Sequence, residues 1–197
     1  MSKPNASLPE NYFKDVYQHK DDPWDFETSS YERNKYQTTV NALPHSTYEQ
    51  AFEIGCSIGV LSEMLAAKCN NLLSVDIADA PLAKARKRLA RYPQVILQKM
   101  TVPNEFPEQD FNLVVMSEVG YYLSMPDLNQ LQNLIGKHLV PGGQLMLVHW
   151  TPTVPDYPLT GDEVHESFLS LCGGHGPFIH LHGQREENYR LDLLQKR

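Results

Sequence analysis

The sequence predicts one α/β domain built on a mostly parallel sheet with right-handed crossovers. Three observations carry this expectation. Short apolar runs suited to burial on both faces, such as Leu72–Asp76 and residues 111–116 and 144–150, alternate with segments of helical period. A tight loop, Gly55-Cys56-Ser57-Ile58-Gly59, follows the first core strand and opens a helix. The 197 residues, 41% hydrophobic and 21% charged, build one core of this kind and are too few for two ordinary domains.

Residues 8–20 place Tyr12, Phe13, Val16 and Tyr17 at helical intervals, giving a short amphipathic helix broken by Asp21-Asp22-Pro23-Trp24-Asp25-Phe26. Ser29 with Glu32 has the capping-box pattern and opens a second helix running to about Leu43. Residues 48–54 are the first expected strand, and 60–68 the helix after the glycine loop, with Leu61, Met64 and Leu65 on one face. Leu72–Asp76 is the second strand. Asp79 is expected to cap the next helix, with Pro81 in its first turn and an end before Pro93. The basic run on that helix, Lys84 to Arg91, reads as a solvated face.

Residues 95–98 and 111–116 are the third and fourth strands. A helix over 125–139 is expected to stop at Pro141-Gly142-Gly143, and the fifth strand to run over 144–150. The proline-rich stretch 151–158 must be irregular. Thr160 with Glu163 repeats the capping-box pattern and opens a helix to about Leu171. Residues 178–184 and 189–194 alternate as a terminal antiparallel pair. The layout is a single domain, 1–197, with N-terminal helices over 1–44, a core over 45–150, and a C-terminal helix and strand pair over 151–197.

Composition narrows the function. A formal charge of −7 argues against a general affinity for nucleic acid, whose phosphates reward a basic surface, and no nucleic-acid partner is expected. No apolar run approaches the roughly 20 residues needed to cross a bilayer, and the N-terminus lacks a secretory stretch, so a cytoplasmic protein is expected. Three cysteines without paired spacing (Cys56, Cys69 and Cys172) suggest no disulfide framework. Cys172 with His175, His180 and His182 matches no structural metal spacing, and no metal is expected.

The glycine loop sits at the carboxyl end of the first core strand, where α/β folds bind ligands. Gly55 permits the sharp turn, and Gly59 lets the helix come close to the strand or to a ligand. The dinucleotide fingerprint would also need glycines where Ser57 and Val60 stand, so a pyrophosphate is disfavoured. A nucleoside without phosphates needs room beside the loop and a carboxylate for its ribose. Asp76, at the end of the second strand and followed by Ile77, supplies that carboxylate. The competing reading gives the glycines to a tight turn and Asp76 to a loop cap.

At these residues the sequence resembles class I S-adenosylmethionine-dependent methyltransferases, and more narrowly the NodS family. The resemblance runs from about Tyr12 to Leu194. It includes Asp22-Pro23-Trp24, Tyr31-Glu32-Arg33, Glu53-Ile54-Gly55-Cys56, Ser117-Glu118-Val119, Tyr121-Tyr122-Leu123 and Leu139-Val140-Pro141-Gly142-Gly143. It implies a Rossmann-like seven-stranded sheet with the last strand inserted antiparallel. It further implies S-adenosyl-L-methionine as cofactor and S-adenosyl-L-homocysteine as product. The cofactor set would be Glu53, Gly55, Cys56, Gly59, Asp76, Ile77, Ser117 and Glu118, with the loop under the methionine part and Asp76 on the ribose. After the third strand Met100-Thr101-Val102 stands where the class carries an adenine-binding acid, leaving Thr101 or the backbone for that contact. The acceptor implied is an amino sugar such as a partly deacetylated chitooligosaccharide. The C-terminal third, from His149-Trp150 onward, departs from NodS, and O-methylation of a sugar or small metabolite stands as the alternative. A non-catalytic S-adenosylmethionine-binding protein and a nicotinamide oxidoreductase are the rivals from other classes.

Methyl transfer from a sulfonium is an in-line displacement, so positioning dominates, with a base useful for a protonated acceptor. Glu118, after the fourth strand, is a candidate to accept a proton or orient an amine; its bland reading is a loop cap. Tyr122, with Tyr121, is a candidate wall for a cationic sulfonium or a half-buried packing residue. His149, at the end of the fifth strand, is a candidate general base or a satisfied strand-end histidine. Trp24, Tyr31 and Arg33 precede the core as a candidate lid, with Arg33 able to pair with the cofactor carboxylate, or as packing on the sheet.

Overall fold

The computed structural model describes residues 4–197. They form two compact units: Pro9–Thr101, and Val102–Arg197 together with residues 4–8.

In the N-terminal unit, α1 (Glu10–His19) and α2 (Ser30–Asn41) precede β1 (Ala51–Ile54), α3 (Val60–Ala66), β2 (Leu72–Asp76), α4 (Asp79–Arg88) and β3 (Val95–Lys99). The strands pair in parallel in the order β3-β2-β1, with Ile54 opposite Val75 and Asp76 opposite Lys99. β1 and β2 are buried throughout, whereas β3 alternates and leaves Ile96 exposed, as an outer strand does.

Four expectations shift here. β1 starts at Ala51, because Tyr48 makes a lone parallel bridge to Cys69 before the ladder begins. The Ser29 cap accepts the Glu32 N–H at 3.3 Å, but the Glu32 carboxylate turns to Lys35 at 2.9 Å, so only half of that capping box exists. Ala78 rather than Asp79 is the N-cap of α4; Asp79 is the first helical residue and pairs with Lys99. The basic face of α4 also holds the preceding chain. Lys84 pairs with Asp21, and Arg88 pairs with Glu27 while donating to the Ile58 carbonyl at 3.0 Å.

In the C-terminal unit, β4 (Phe111–Ser117) leads into a 3-10 turn (Gly120–Tyr122), α5 (Met125–His138) and β5 (Leu139–Trp150). Then come α6 (Gly161–Leu169), a 3-10 turn (Ser170–Cys172), β6 (Phe178–Arg185) and β7 (Tyr189–Lys196). β4 and β5 are parallel, and β7 lies between β5 and β6, antiparallel to both. The inserted last strand follows from this order. The Pro141-Gly142-Gly143 segment corrects the expectation of a stop before the strand: β5 already pairs Leu139 with Phe111, and the ladder resumes at Gln144 opposite Leu113. Residues 140–143 loop out between those pairs, with Gly142 at φ +78°. Both halves of the Thr160–Glu163 capping box are present. The two units supply the seven strands of the mostly parallel sheet with antiparallel terminal strands. Among the described residues no helix is long and apolar enough to cross a membrane.

Candidate active site

The glycine loop of the N-terminal unit is fixed from its own backbone. The N–H groups of Gly55 and Cys56 both donate to the Val75 carbonyl, at 2.8 and 2.9 Å, which ties the loop to the end of β2. Gly55 and Gly59 have φ of +81° and +80°, and Ser57, a residue with a side chain, has φ +49°. A Cβ on Gly59 would stand 3.1 Å from both Ala85 Cβ and Leu89 Cδ1. Gly59 therefore serves the packing of α3 on α4 as well as the turn.

Asp76 closes the loop. One carboxylate oxygen accepts the Ser57 N–H at 2.9 Å and the other the Ala78 N–H at 2.9 Å, with Ile77 N–H also bonding to the group. Burial pushes its carboxyl up to about 6, against the pull of these backbone bonds. Over this loop lies an aromatic layer in which Tyr17 and Phe13, expected only as a helix face, join Trp24 of the candidate lid. The Tyr17 hydroxyl is 2.6 Å from Ser57 Oγ, and Tyr17 packs with Ile58 and Ala78 against Phe13, Trp24, Phe26, Val60 and Ile77. Trp24 meets Tyr17 edge-on at 5.7 Å and stacks on Phe26 at 5.5 Å. The signal for Tyr17 was its helical spacing from Phe13, which any core residue would share.

The other candidates of this unit divide. Glu53 is buried in the sheet, where the hydroxyls of Ser62 and Ser74 donate to Oε2 at 2.5 and 2.6 Å. Burial pushes its carboxyl up to about 7. Cys56 is buried, and burial first, then Asp76 and Glu53, push its thiol well up, which makes it a poor nucleophile. On α2, Tyr31 lies beneath the Lys35 ammonium at 5.6 Å from its ring centroid, and Arg33 is exposed. Thr101, half-buried, is the last residue of the unit.

The C-terminal unit brings together Ser117, Glu118, Tyr122 and His149 around the end of β4. Ser117 is 7% exposed, and its Oγ has no hydrogen-bond partner. Glu118 has φ +59°, a conformation that costs a side-chain-bearing residue on the order of 1 kcal/mol and clusters at functional sites. Its N–H donates to Val148 O, and its Oε2 accepts from Tyr121 Oη at 2.7 Å and from Trp150 N at 2.8 Å. The carboxylate thus joins the ends of β4 and β5. Tyr122 is buried in a cluster with Tyr121 and Tyr157, the latter stacked on Tyr121 at 5.1 Å.

His149 departs from the general-base expectation. It is wholly buried, its Nε2 accepts the Gly120 N–H at 3.0 Å, and its Nδ1 lies 3.0 Å from His165 Nε2. Both ring nitrogens are engaged by protein, so the ring offers no lone pair to a substrate proton.

The family model of Nodulation protein S (NodS) matches residues 12–148, well over half of the chain. The chain belongs to the NodS family. Among NodS proteins, that of Rhizobium tropici is 29% identical over 130 residues, covering 64% of this chain and 54% of the relative. That of Bradyrhizobium diazoefficiens is 30% identical over 104 residues, covering 52% and 50%. The chain spans about half the length of these curated relatives. A candidate methyltransferase from Pseudomonas syringae is 33% identical in its crystal structure, with TM-score 0.74 over 85% of this chain and 100% of that one. The crystal structure of the N-methyltransferase NodS from Bradyrhizobium japonicum WM9, in complex with S-adenosyl-L-homocysteine, superposes with TM-score 0.82. It covers 94% of this chain and 98% of that chain at 20% identity, and so shares the fold.

Proposed function

We propose that this NodS-family chain transfers a methyl group from S-adenosyl-L-methionine to a small acceptor, with an amine of a partly deacetylated amino-sugar oligosaccharide as the best substrate. The observation that carries the cofactor is Asp76. Ser57, Ile77 and Ala78 N–H groups hold its carboxylate at the strand end beside the glycine loop. A carboxylate has about four acceptor sites, so a further one remains for a ribose hydroxyl. The residues present fit such a nucleoside. The turn at Gly55 needs no phosphate, and the unbonded, buried Ser117 Oγ is a polar atom suited to a ligand partner.

S-adenosylmethionine supplies an activated methyl on sulfonium. The protein's part is to position and to exclude water. Gly55, Cys56 and Gly59 shape the floor under the methionine moiety, and Trp24 with Tyr17 covers the loop. Ile77 packs on the cluster of Tyr17, Ile58 and Ala78 beside the loop, Thr101 is assigned the adenine side, and Glu53 acts from within the sheet by holding β1, β2 and α3 in register. Tyr31 and Arg33 belong to the lid, with the exposed Arg33 assigned to the methionine carboxylate. Glu118, its carboxylate oriented by Tyr121 and Trp150, accepts or orients the proton of the acceptor amine, and Tyr122 walls that side. His149 supports this group from behind and does not touch the acceptor.

The test is mass spectrometry of the protein with S-adenosylmethionine and paired acceptors, deacetylated chitooligosaccharides beside fully acetylated ones. A gain of one methylene on the deacetylated set alone supports N-methylation of an amino sugar. A gain on both sets moves the acceptor atom to oxygen. If neither gains while S-adenosylhomocysteine still raises the melting temperature, the substrate is refuted and the cofactor kept.

A further inference from the structure

Three polar side chains of the C-terminal unit, each from a different element, lie out of solvent and in contact: His149 on β5, His165 on α6 and Asp192 on β7. All three lie beyond residue 148, where the NodS family model stops matching. Buried polar groups lower stability unless bonded, and a fully bonded chain rigidifies what it joins.

The direction of the chain follows from its end. The Gly120 backbone N–H is a fixed donor, so His149 Nε2, 3.0 Å away, must carry no proton. The neutral ring then has its proton on Nδ1 and donates to His165 Nε2 at 3.0 Å. His165 in turn has its proton on Nδ1 and donates to Asp192 Oδ2 at 2.6 Å. Arg190 Nε donates to the same oxygen at 2.7 Å, and His180, partly exposed on β6, donates to Oδ1 at 2.7 Å. Burial pushes the Asp192 carboxyl up, but the hydrogen bond from His165 and the Arg190 guanidinium outweigh it and hold the group below its ordinary value.

Three glycines make room for this chain. A Cβ on Gly120 would meet Val164 Cγ1 at 2.6 Å and His149 Nε2 at 3.0 Å. One on Gly161 would collide with Trp150 O and meet His149 Cβ at 3.1 Å, and one on Gly183 would meet Asp192 Oδ1 at 2.8 Å. The turn after β4, the start of α6 and strand β6 are therefore all pressed against it.

We infer that Asp192, His165 and His149 are positioning residues that anchor the Gly120–Tyr122 turn through the Gly120 N–H, and that they do so only while both imidazoles are neutral. The turn begins two residues after Glu118 and contains Tyr122, so the chain sets the placement of both. A proton on His149 Nε2 would face the Gly120 N–H, and one on His165 Nε2 would face the His149 N–H; either opposes two donors. Burial accordingly pushes His165 below its ordinary value, with Asp192 pulling back and Arg190 adding to the fall. The other charged or titratable groups facing the chain are Tyr121, whose ring is 5.5 Å from His149, Glu118 through Tyr121, His180, the Cys172 thiol, which feels the Asp192 carboxylate, and Asp162 and Glu166 through Arg190. The catalytic consequence rests on the roles proposed for Glu118 and Tyr122; the state of the chain does not.

Two measurements on the full chain test the inference. Long-range proton–nitrogen spectra of the imidazoles near pH 7.5 should show the Nδ1–H tautomer at His149 and His165, with the Gly120 amide protected from exchange. His165→Leu should expose that amide, and His165→Gln, whose amide oxygen takes the place of Nε2, should keep it protected. An Nε2–H tautomer at His149, or Gly120 protection unchanged by His165→Leu, would overturn the anchor. In turnover, His165→Leu should lower kcat about tenfold with S-adenosylhomocysteine affinity unchanged. His165→Gln should recover most of kcat and move the acid limb of its pH profile to lower pH. Equal loss in both variants with an unmoved acid limb overturns the positioning role. If no acceptor is methylated by the parent protein, the proposed function fails and the tautomer and exchange results alone decide the anchor.

Discussion

Replacing Glu53 by glutamine should stabilise the protein, and by more at pH 8 than at pH 5. Burial, opposed by the Ser62 and Ser74 hydroxyls and reinforced by Asp76, raises the Glu53 carboxyl from 4.5 to about 7. The folded chain thus holds this proton more tightly than the unfolded one. Stability falls as pH rises from about 4.5 to about 7, and the full penalty is present above that window. The interval from 4.5 to about 7 corresponds to about 3 kcal/mol, most of which develops between pH 5 and 8. Glutamine keeps a carbonyl oxygen where both hydroxyls donate and carries no charge to desolvate. The advantage of Glu53→Gln in melting temperature should therefore grow by roughly 5–10 °C from pH 5 to pH 8. Differential scanning calorimetry of both proteins at pH 5, 6.5 and 8 measures it. The difference between them removes most of the contribution of Asp76, which titrates nearby. A difference in melting temperature that is the same at pH 5 and pH 8 would refute the assignment of Glu53 as a strained, buried carboxylate.

Gly59→Ala should cost about 1–3 kcal/mol in chemical denaturation, because the new Cβ combines a φ of +80° with approaches of 3.1 Å to Ala85 and Leu89. Unchanged stability would show that α4 yields without strain. Asp76→Asn should weaken S-adenosylhomocysteine binding at least about tenfold by calorimetric titration, since one oxygen becomes an N–H donor facing Ser57 or Ala78 N–H. Full affinity would remove Asp76 from the cofactor site. Glu118→Gln should lower kcat about tenfold or more while leaving S-adenosylhomocysteine affinity within about twofold. Equal losses in both would make Glu118 a cofactor group instead.

Local chemistry explains why much of the architecture was legible in the sequence. Leu72–Asp76 begins with Leu72 and Leu73 and carries Val75 because the strand is buried on both faces, and its observed limits match the expected ones. Thr160 and Glu163 announce the start of α6 because each satisfies a donor within one turn of the other. Gly55 and Gly59 mark the loop because few other residues adopt their φ without strain. Where local cues misled, a distant partner had won. Pro141-Gly142-Gly143 looked like a strand boundary, yet the pairing of Leu139 with Phe111 carries β5 across it as a bulge.

The side-chain chemistry of the candidate site was decided at longer range. Glu53 reads in sequence as part of a binding loop, and only Ser62 and Ser74, 9 and 21 residues away, turn it into a buried structural acid. His149 reads as a base at a strand end. His165, 16 residues on, and then Asp192, 27 further, with the Gly120 N–H on the other side, engage both its nitrogens. Periodicity and turn residues report the free energy of segments a few residues long, which the chain carries with it wherever it goes. Hydrogen-bond partners, burial and the pKa values they set belong to neighbours brought in by the sheet, and the order β5-β7-β6 is what places Asp192 beside α6.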